Sequence, residues 1–396
     1  MTSAANTKTA PLTTHTQNGI VNILYIIDYL ASPGGTERHL SYLTRHLDHS
    51  RFRCFVVPFY FEPTPMSDAM IAAGTRIEYI RVARYYVPRA FLQAIRLARF
   101  IRANNIDIVQ TFHYKADVYG AVVARLAGVK HIVASKRDAA DYKGPFRFFL
   151  HKLVRPLTER YIAVSDVVAE VIKLKEGVDA NKMITIHNGV DTAHYQVPSA
   201  QEKIAAKERI GFSAENFVIG MSAWFRPEKD HQLLLDCFLE LHQRYPALRL
   251  LLIGGGPLLE TFKTKMAPHI AAGIIHFSGP VTDVAPLLHA LDVACLVPHI
   301  NEGFSNSVLE KMATGLPLIV TDIGGNKEAI AHGENGFVIA ARDAEKLRAH
   351  LTDLYLNPEL RQRMGAASRE RVLQCFSLKQ MLNRHESLYR EMLGAR

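Results

Sequence analysis

The chain has 396 residues, 48% hydrophobic and 21% charged, enough for two packed cores at roughly 100–200 residues each and too apolar for a fibre or a disordered chain. No stretch approaches the ~18 uncharged apolar residues that cross a bilayer, and residues 1–19, rich in Thr, Ala and Asn, hold no signal-peptide core. The net charge of +9 lies wholly in one half, since residues 1–195 carry 25 Lys+Arg against 16 Asp+Glu and residues 196–396 carry 22 of each, so that half suits an anionic partner, whether substrate, lipid headgroup or nucleic acid.

Residues 1–19 read as a flexible tail. After it, apolar runs of strand length alternate with amphipathic runs of helix length, the pattern of parallel α/β sheets. The first half gives strands at 21–27, 52–59, 75–80, 106–112, 131–135, 161–165 and 183–191, with helices from about Glu37 and over 88–105 and 116–127. The second repeats the cycle with strands at 217–222, 248–254, 274–279, 292–297 and 316–321. The periodicity breaks at Tyr195-Gln196-Val197-Pro198-Ser199, so an N-terminal domain over 20–194 and a C-terminal domain over 195–376 are expected. A last helix, 377–396, follows the second sheet and is expected to cross back to the first domain. Cys54, Cys237, Cys295 and Cys375 show no metal-ligand spacing and read as reduced thiols.

In open α/β sheets ligands bind beyond the carboxyl ends of the strands, so chemistry is sought in the loops that follow them. After the strand ending at Val297 come Glu302, Gly303 and Phe304, then a helix opening at about Ser305 with Ser305 or Asn306 as cap. The free amides at 305–307 make a phosphate site, and Glu302 and Glu310 can each accept sugar hydroxyls; a capped helix with two solvated glutamates is the plain alternative. After the strand at 217–222, Arg226 and Lys229 can neutralise a diphosphate, or simply decorate a surface turn. Gly34 and Gly35 follow the first strand and permit close backbone approach, as a tight turn into a helix also would. His113 follows the fourth strand and can reach a cleft or serve structurally. Tyr142–Arg155 mixes aromatic and basic residues at roughly helical spacing, which suits an anionic membrane surface or a helix with its aromatics in the core; Arg89, Arg96, Arg99 and Arg102 add to the charge.

Taken together, residues 302–325 resemble the E-x7-E region of family-4 retaining glycosyltransferases, and the likeness extends over nearly the whole chain, most strongly over 218–340. It implies two Rossmann-like domains facing across a cleft (the GT-B fold), Glu302 at the donor sugar, Glu310 at the ribose, and Gly35 facing the donor phosphates. The segment Trp224–His231 is similar to that family's R-x4-EK loop, except that Trp224 stands where many members have Arg and the Arg comes three residues before Lys229. Gly254 and Gly256 resemble a G-x-G-P turn beside the nucleotide base, or form a plain turn; His187–Asp191 resembles the N-G-V-D turn into the linker and reads as structural. Where relatives place a His after the fifth strand, Arg137 stands, which can bind sugar or phosphate but cannot act as a base.

The expected activity is metal-independent transfer, with retention, of a sugar from a nucleoside diphosphate, UDP by family resemblance, to a hydroxyl acceptor of lipid-linked or polysaccharide type. No cofactor and no metal are expected, since no D-x-D pair is present, and the donor is a co-substrate. The location expected is cytoplasmic, peripheral on the inner face of the membrane. The alternatives are a nucleotide-sugar epimerase of similar shape, a catalytically silent donor-binding protein, and a nucleic-acid binder, against which stands the lack of any helix-turn-helix, zinc or RNP signature.

Overall fold

The computed structural model describes residues 19–31, 34–138 and 144–394. Two wholly parallel sheets organise it. The first contains β1 (Val21–Ile27), β2 (Phe52–Pro58), β3 (Arg76–Ile77), β4 (Ile108–Phe112), β5 (His131–Lys136), β6 (Arg160–Ala163) and β7 (Met183–Thr185), in the order 3-2-1-4-5-6-7. The second contains β8 (Phe217–Ser222), β9 (Leu248–Ile253), β10 (Ile275–Gly279), β11 (Val293–Leu296), β12 (Leu318–Thr321) and β13 (Gly336–Ile339), in the order 10-9-8-11-12-13. The strands are continuous apolar runs because helices cover both faces of each sheet: Ile23 to Ile27 and Leu250 to Leu252 are fully buried.

Strand order reverses between β1 and β4 in the first sheet and between β8 and β11 in the second, and at such switch points adjacent loops diverge and leave a crevice. The segments singled out in the sequence fall largely there. Gly34-Gly35 follows β1, His113 follows β4, Trp224–Lys229 follows β8, and Glu302 follows β11.

Four elements differ from the sequence reading. The strand expected at 75–80 shrinks to Arg76–Ile77, that at 183–191 to Met183–Thr185, and β13 was not foreseen. The helix expected at 116–127 begins with a wide π-type turn over Ala116–Gly120 before the α-helix Ala121–Leu126.

The helix Leu378–Met392 crosses back to the first domain, as expected. Met381, Leu382, Leu388, Tyr389 and Met392 form its apolar stripe and join Ile23, Tyr25 and Phe52 in the core beside the first sheet. The Tyr389 hydroxyl donates to Gln110 Oε1 at 2.6 Å. Outgoing and returning chains run side by side where Leu378 N–H donates to Val190 C=O at 2.9 Å and Val190 N–H to Phe376 C=O at 3.0 Å. Gly189 is needed in that crossing, since a Cβ there would lie 2.8 Å from Leu378 Cα.

Candidate functional site

The loop after β8 is pinned by Phe225, which is fully buried and stacks on His231 with ring centroids 4.1 Å apart. Its N–H donates to Gly255 C=O at 2.8 Å and its C=O accepts from Leu258 N–H at 3.1 Å. Gly254 and Gly256 have φ of 137° and 142°, and a Cβ on them would come within 2.3 Å of Ala223 O and 2.6 Å of Phe225 N. Close packing of two loops therefore accounts for both glycines without a ligand. Flanking Phe225, Trp224 is 49% exposed, and Arg226 is exposed with no side-chain hydrogen bond or ion pair among the described residues. Lys229 ends the short 3-10 turn Pro227–Lys229 and forms an ion pair with Glu302.

Glu302 is positioned by glycines. Gly325 N–H donates to Gly303 C=O at 2.7 Å, and Gly324, at φ +61°, lies so close that a Cβ would meet the Glu302 carbonyl oxygen at 1.7 Å. The Gly324-Gly325 pair thus lets one loop pass tightly over the other. Ser305 is the N-cap of the helix Asn306–Ala313, yet its side chain makes no cap hydrogen bond, so the hydroxyl leaves the leading amides to other acceptors. Ser307 Oγ instead donates to Ser222 C=O at 2.6 Å, fastening the helix to the end of β8. The Phe304 ring packs against His187 at 4.7 Å and Phe376 at 5.3 Å.

The first domain supplies the facing wall. Gly34 is the N-cap of the helix Gly35–His46, and Asn306 Nδ2 lies 3.5 Å from Gly35 C=O, so the glycine loop and the opening of the Glu310 helix meet. Arg38, on the same helix, forms an ion pair with Glu310 across the cleft. Arg137, at the end of β5, donates to Asn188 Oδ1, whose own amide donates to Phe304 C=O at 2.8 Å. Burial brings the Arg137 guanidinium down to about 9. The Arg137 carbonyl sits where a Cβ on Gly303 would approach to 2.1 Å.

His113 adopts φ 72° and leaves a buried Nδ1 without a partner; burial lowers its pKa. It lines a pocket of about 910 Å³ with Asp28, Glu37, Tyr85, Tyr86, Tyr114, Lys115, Phe146 and Arg147. Asp28 accepts from the amides of Lys115 and Ala116 at 3.0 and 2.8 Å, and burial nevertheless raises its carboxyl to about 7. The helix Pro145–Val154 at the pocket mouth turns Phe146, Phe148, Phe149 and Leu153 outward, so the alternative that placed these aromatics in the core is corrected. Tyr142 and Lys143 of the same stretch lie outside the described residues, as does Pro33.

Arg38, Lys311 and Glu328 escaped the sequence reading, and His187 was read there only as part of a structural turn. Arg38 pairs with a residue 272 positions away. Lys311 is fully buried, donates to Cys295 C=O and Ser307 Oγ at 3.2 and 2.9 Å, and is pulled down to about 8 by desolvation. His187 and Glu328 belong to an interdomain clasp: Glu328 accepts from the amides of Asp166 and Val167, each at 2.9 Å, and meets His187 Nε2 at 2.7 Å. Asp166, His187 and Glu328 bring ligand atoms within 4.8 Å of one another, but Glu328 already has both oxygens engaged as a helix cap, which explains the gathering without an ion.

Comparison with known proteins covers both halves. Residues 33–194 match the family model Glycosyltransferase Family 4, and residues 202–371 match Glycosyl transferases group 1. The chain is 27% identical to the N-acetyl-alpha-D-glucosaminyl L-malate synthase of Bacillus anthracis, over 78% of its own length and 81% of the other's. It is 25% identical to a GDP-mannose-dependent phosphatidylinositol monomannoside mannosyltransferase of Mycobacterium tuberculosis, over 88% and 93% of the two chains. In fold it is similar to Anabaena HepE solved in complex with UDP, with a TM-score of 0.82 at 18% identity over 94% and 100% of the chains.

Proposed function

Since this chain belongs to the group 1, family 4 glycosyltransferases, we propose that it transfers a sugar from a nucleoside diphosphate sugar, with retention and without a metal ion, to a hydroxyl of a lipid-linked or surface-polysaccharide precursor. The observation that carries this reading is the convergence on one cleft of Lys229, Glu302, the uncapped amides opening the Asn306–Ala313 helix, and Gly34-Gly35 from the opposite domain.

Each group has a task in that reaction. The bond from the anomeric carbon to the diphosphate oxygen breaks and its electron pair leaves with the diphosphate. Lys229, Arg226 and the helix amides offset the charge that develops there, preorganised donors being worth most where charge appears in the transition state. The acceptor hydroxyl attacks from the same face, and its proton passes to the departing phosphate oxygen, so no protein base is needed. Glu302 and Glu310 accept hydroxyls of the sugar and ribose, and ligand binding exchanges part of their pairing with Lys229 and Arg38. UDP is the base proposed, and HepE was solved with UDP.

The acceptor is assigned to the pocket beside His113, whose aromatic walls suit sugar faces. Phe146 and Arg147 line it, and the helix that carries them also exposes Phe148, Phe149 and Lys152, a composition that favours an anionic membrane surface. One relative, of Escherichia coli, is a UDP-Gal:alpha-D-GlcNAc-diphosphoundecaprenol galactosyltransferase. The test is a donor panel with lipid-extract acceptors in EDTA, the anomeric configuration of the product being read by NMR. An inverted product or a strict metal requirement would overturn the mechanism. Loss of vesicle binding on Phe148→Ser plus Phe149→Ser is expected, and binding indifferent to anionic lipid would refute the membrane face.

A further inference from the structure

The cations on the cleft walls are not equivalent. Lys229 is paired with Glu302 and Arg38 with Glu310, while Arg226 is exposed to water. Arg137 differs from all three. Its Nε and Nη1 are buried and have no hydrogen-bond partner, and among the described residues no carboxylate lies within ion-pair distance of it. Glu37 and Asp138 act on it only through space. One nitrogen is spent on the neutral Asn188 side chain, which orients the group without compensating its charge. A buried charge is ordinarily paired or bound to a ligand, and an unsatisfied one calls for an explanation.

Its location restricts what the missing partner can be. The Arg137 carbonyl lies against Gly303, the neighbour of Glu302, and its guanidinium is linked through Asn188 to the Phe304 carbonyl. The side chain therefore belongs to the stretch of cleft where the donor assignment puts the transferred sugar and the adjoining phosphate. A neutral sugar would leave this guanidinium as uncompensated as it is now. An oxyanion would satisfy both its charge and its two spare donors, since charge-assisted hydrogen bonds are the strong ones.

We propose that Arg137 is a binding residue for an anionic group of the ligand, a carboxylate carried by the transferred sugar or an oxygen of the donor diphosphate, so that the N-terminal wall of the cleft selects for negative charge. The proposal rests on the glycosyltransferase reading above. Nearness to the Glu302 loop, through Gly303 and the Phe304 carbonyl, favours the sugar end, where a hexuronic acid would carry its acid group.

The test is calorimetric titration of wild type, Arg137→Gln, Arg137→Lys and Asn188→Ala with UDP, UDP-glucose and UDP-glucuronate, and with GDP, GDP-mannose and GDP-mannuronate, with thermal melting as a check on folding. If the anion is on the sugar, wild type binds the uronate at least 10-fold more tightly than the neutral sugar. Arg137→Gln then removes that difference and leaves the free nucleotide unchanged, while Arg137→Lys keeps most of it. If the anion is on the phosphate, Arg137→Gln weakens the free nucleotide and both sugars alike by 10-fold or more. A folded Arg137→Gln that binds every ligand as wild type does overturns the proposal. Should that variant fail to fold, a wild-type affinity profile in Arg137→Lys that shows no response to charge on the sugar, together with unaltered nucleotide affinity, overturns it equally. Binding of no nucleotide by wild type would sink the donor reading itself, and this inference with it.

Discussion

Replacing Gly303 with Ala is the substitution from which most can be learned. The added Cβ would stand 2.1 Å from the Arg137 carbonyl oxygen, a backbone atom that cannot rotate away, and ordinary contact begins at 3.4 Å. The two must separate by about 1.3 Å, and since Arg137 belongs to the first domain and Gly303 to the second, the strain falls on closure of the cleft. Overpacking of this size costs typically about 1–3 kcal/mol, and displacement of a reacting group by about 1 Å is worth on the order of 100-fold in rate. Turnover of Gly303→Ala should therefore fall about 10- to 100-fold, measured as nucleoside diphosphate release. Affinity for the free nucleotide, which the proposed donor site draws mainly from the second domain, should change by less than about 3-fold on the same scale. Wild-type turnover would show that the working cleft does not close to this contact. An equal loss of nucleotide affinity and melting temperature would instead mean local damage to the Glu302 loop.

Other outcomes follow from particular contacts. Tyr389→Phe removes the hydroxyl that satisfies buried Gln110 Oε1 and should cost about 1–3 kcal/mol in denaturant unfolding; no change would imply that Gln110 finds another donor. Burial, with nearby Lys136, Lys229 and Arg137 in turn, lowers His151 to about 4, His231 to about 3 and His385 to about 4. Below the ordinary histidine value the unfolded chain takes up protons that the fold refuses, so stability is full above about pH 6.5 and falls towards pH 4. Asp28, raised to about 7, and Glu37, also raised by burial, oppose this over the same range, while buried His39 and His113, both lowered, add to it. The melting temperature should drop by roughly 5 °C or more between pH 7 and pH 5, and a flat or rising profile would contradict the neutral assignments. Gly256→Ala should lower the melting temperature, because φ 142° and the Phe225 backbone both resist a side chain.

The sheets were legible because their strands are buried on both faces and read as unbroken apolar runs, and each switch-point loop could be located by counting strands. β13 was missed since Gly336-Phe337-Val338-Ile339 is only four residues long and opens on a glycine that also reads as a turn. The 75–80 run was overcalled for the opposite reason: alternation persists there, but only Arg76 and Ile77 reach β2. At the site, residue types pointed to Lys229 and Glu302, while their pairing is a property of the fold. Arg38, Glu328 and Lys311 left no local signal, since each is defined by a partner far along the chain or by burial, while Asn188 was legible only as part of a structural turn. Phe304 and the glycines at 254 and 256 taught the converse: motif positions can be occupied by packing, Phe304 by the interdomain aromatics and the glycines by loop-on-loop contact.

The central claim is that Lys229 and Glu302 hold and activate a nucleotide sugar in the cleft. Nucleoside diphosphate release measured in EDTA for wild type, Lys229→Ala and Glu302→Gln tests it most directly. The account predicts an active wild type, a fall of about 100-fold or more in kcat for Lys229→Ala, the scale for removing one stabiliser of transition-state charge, and a comparable loss in kcat/KM for Glu302→Gln. Variants that fold and turn over at the wild-type rate would contradict it.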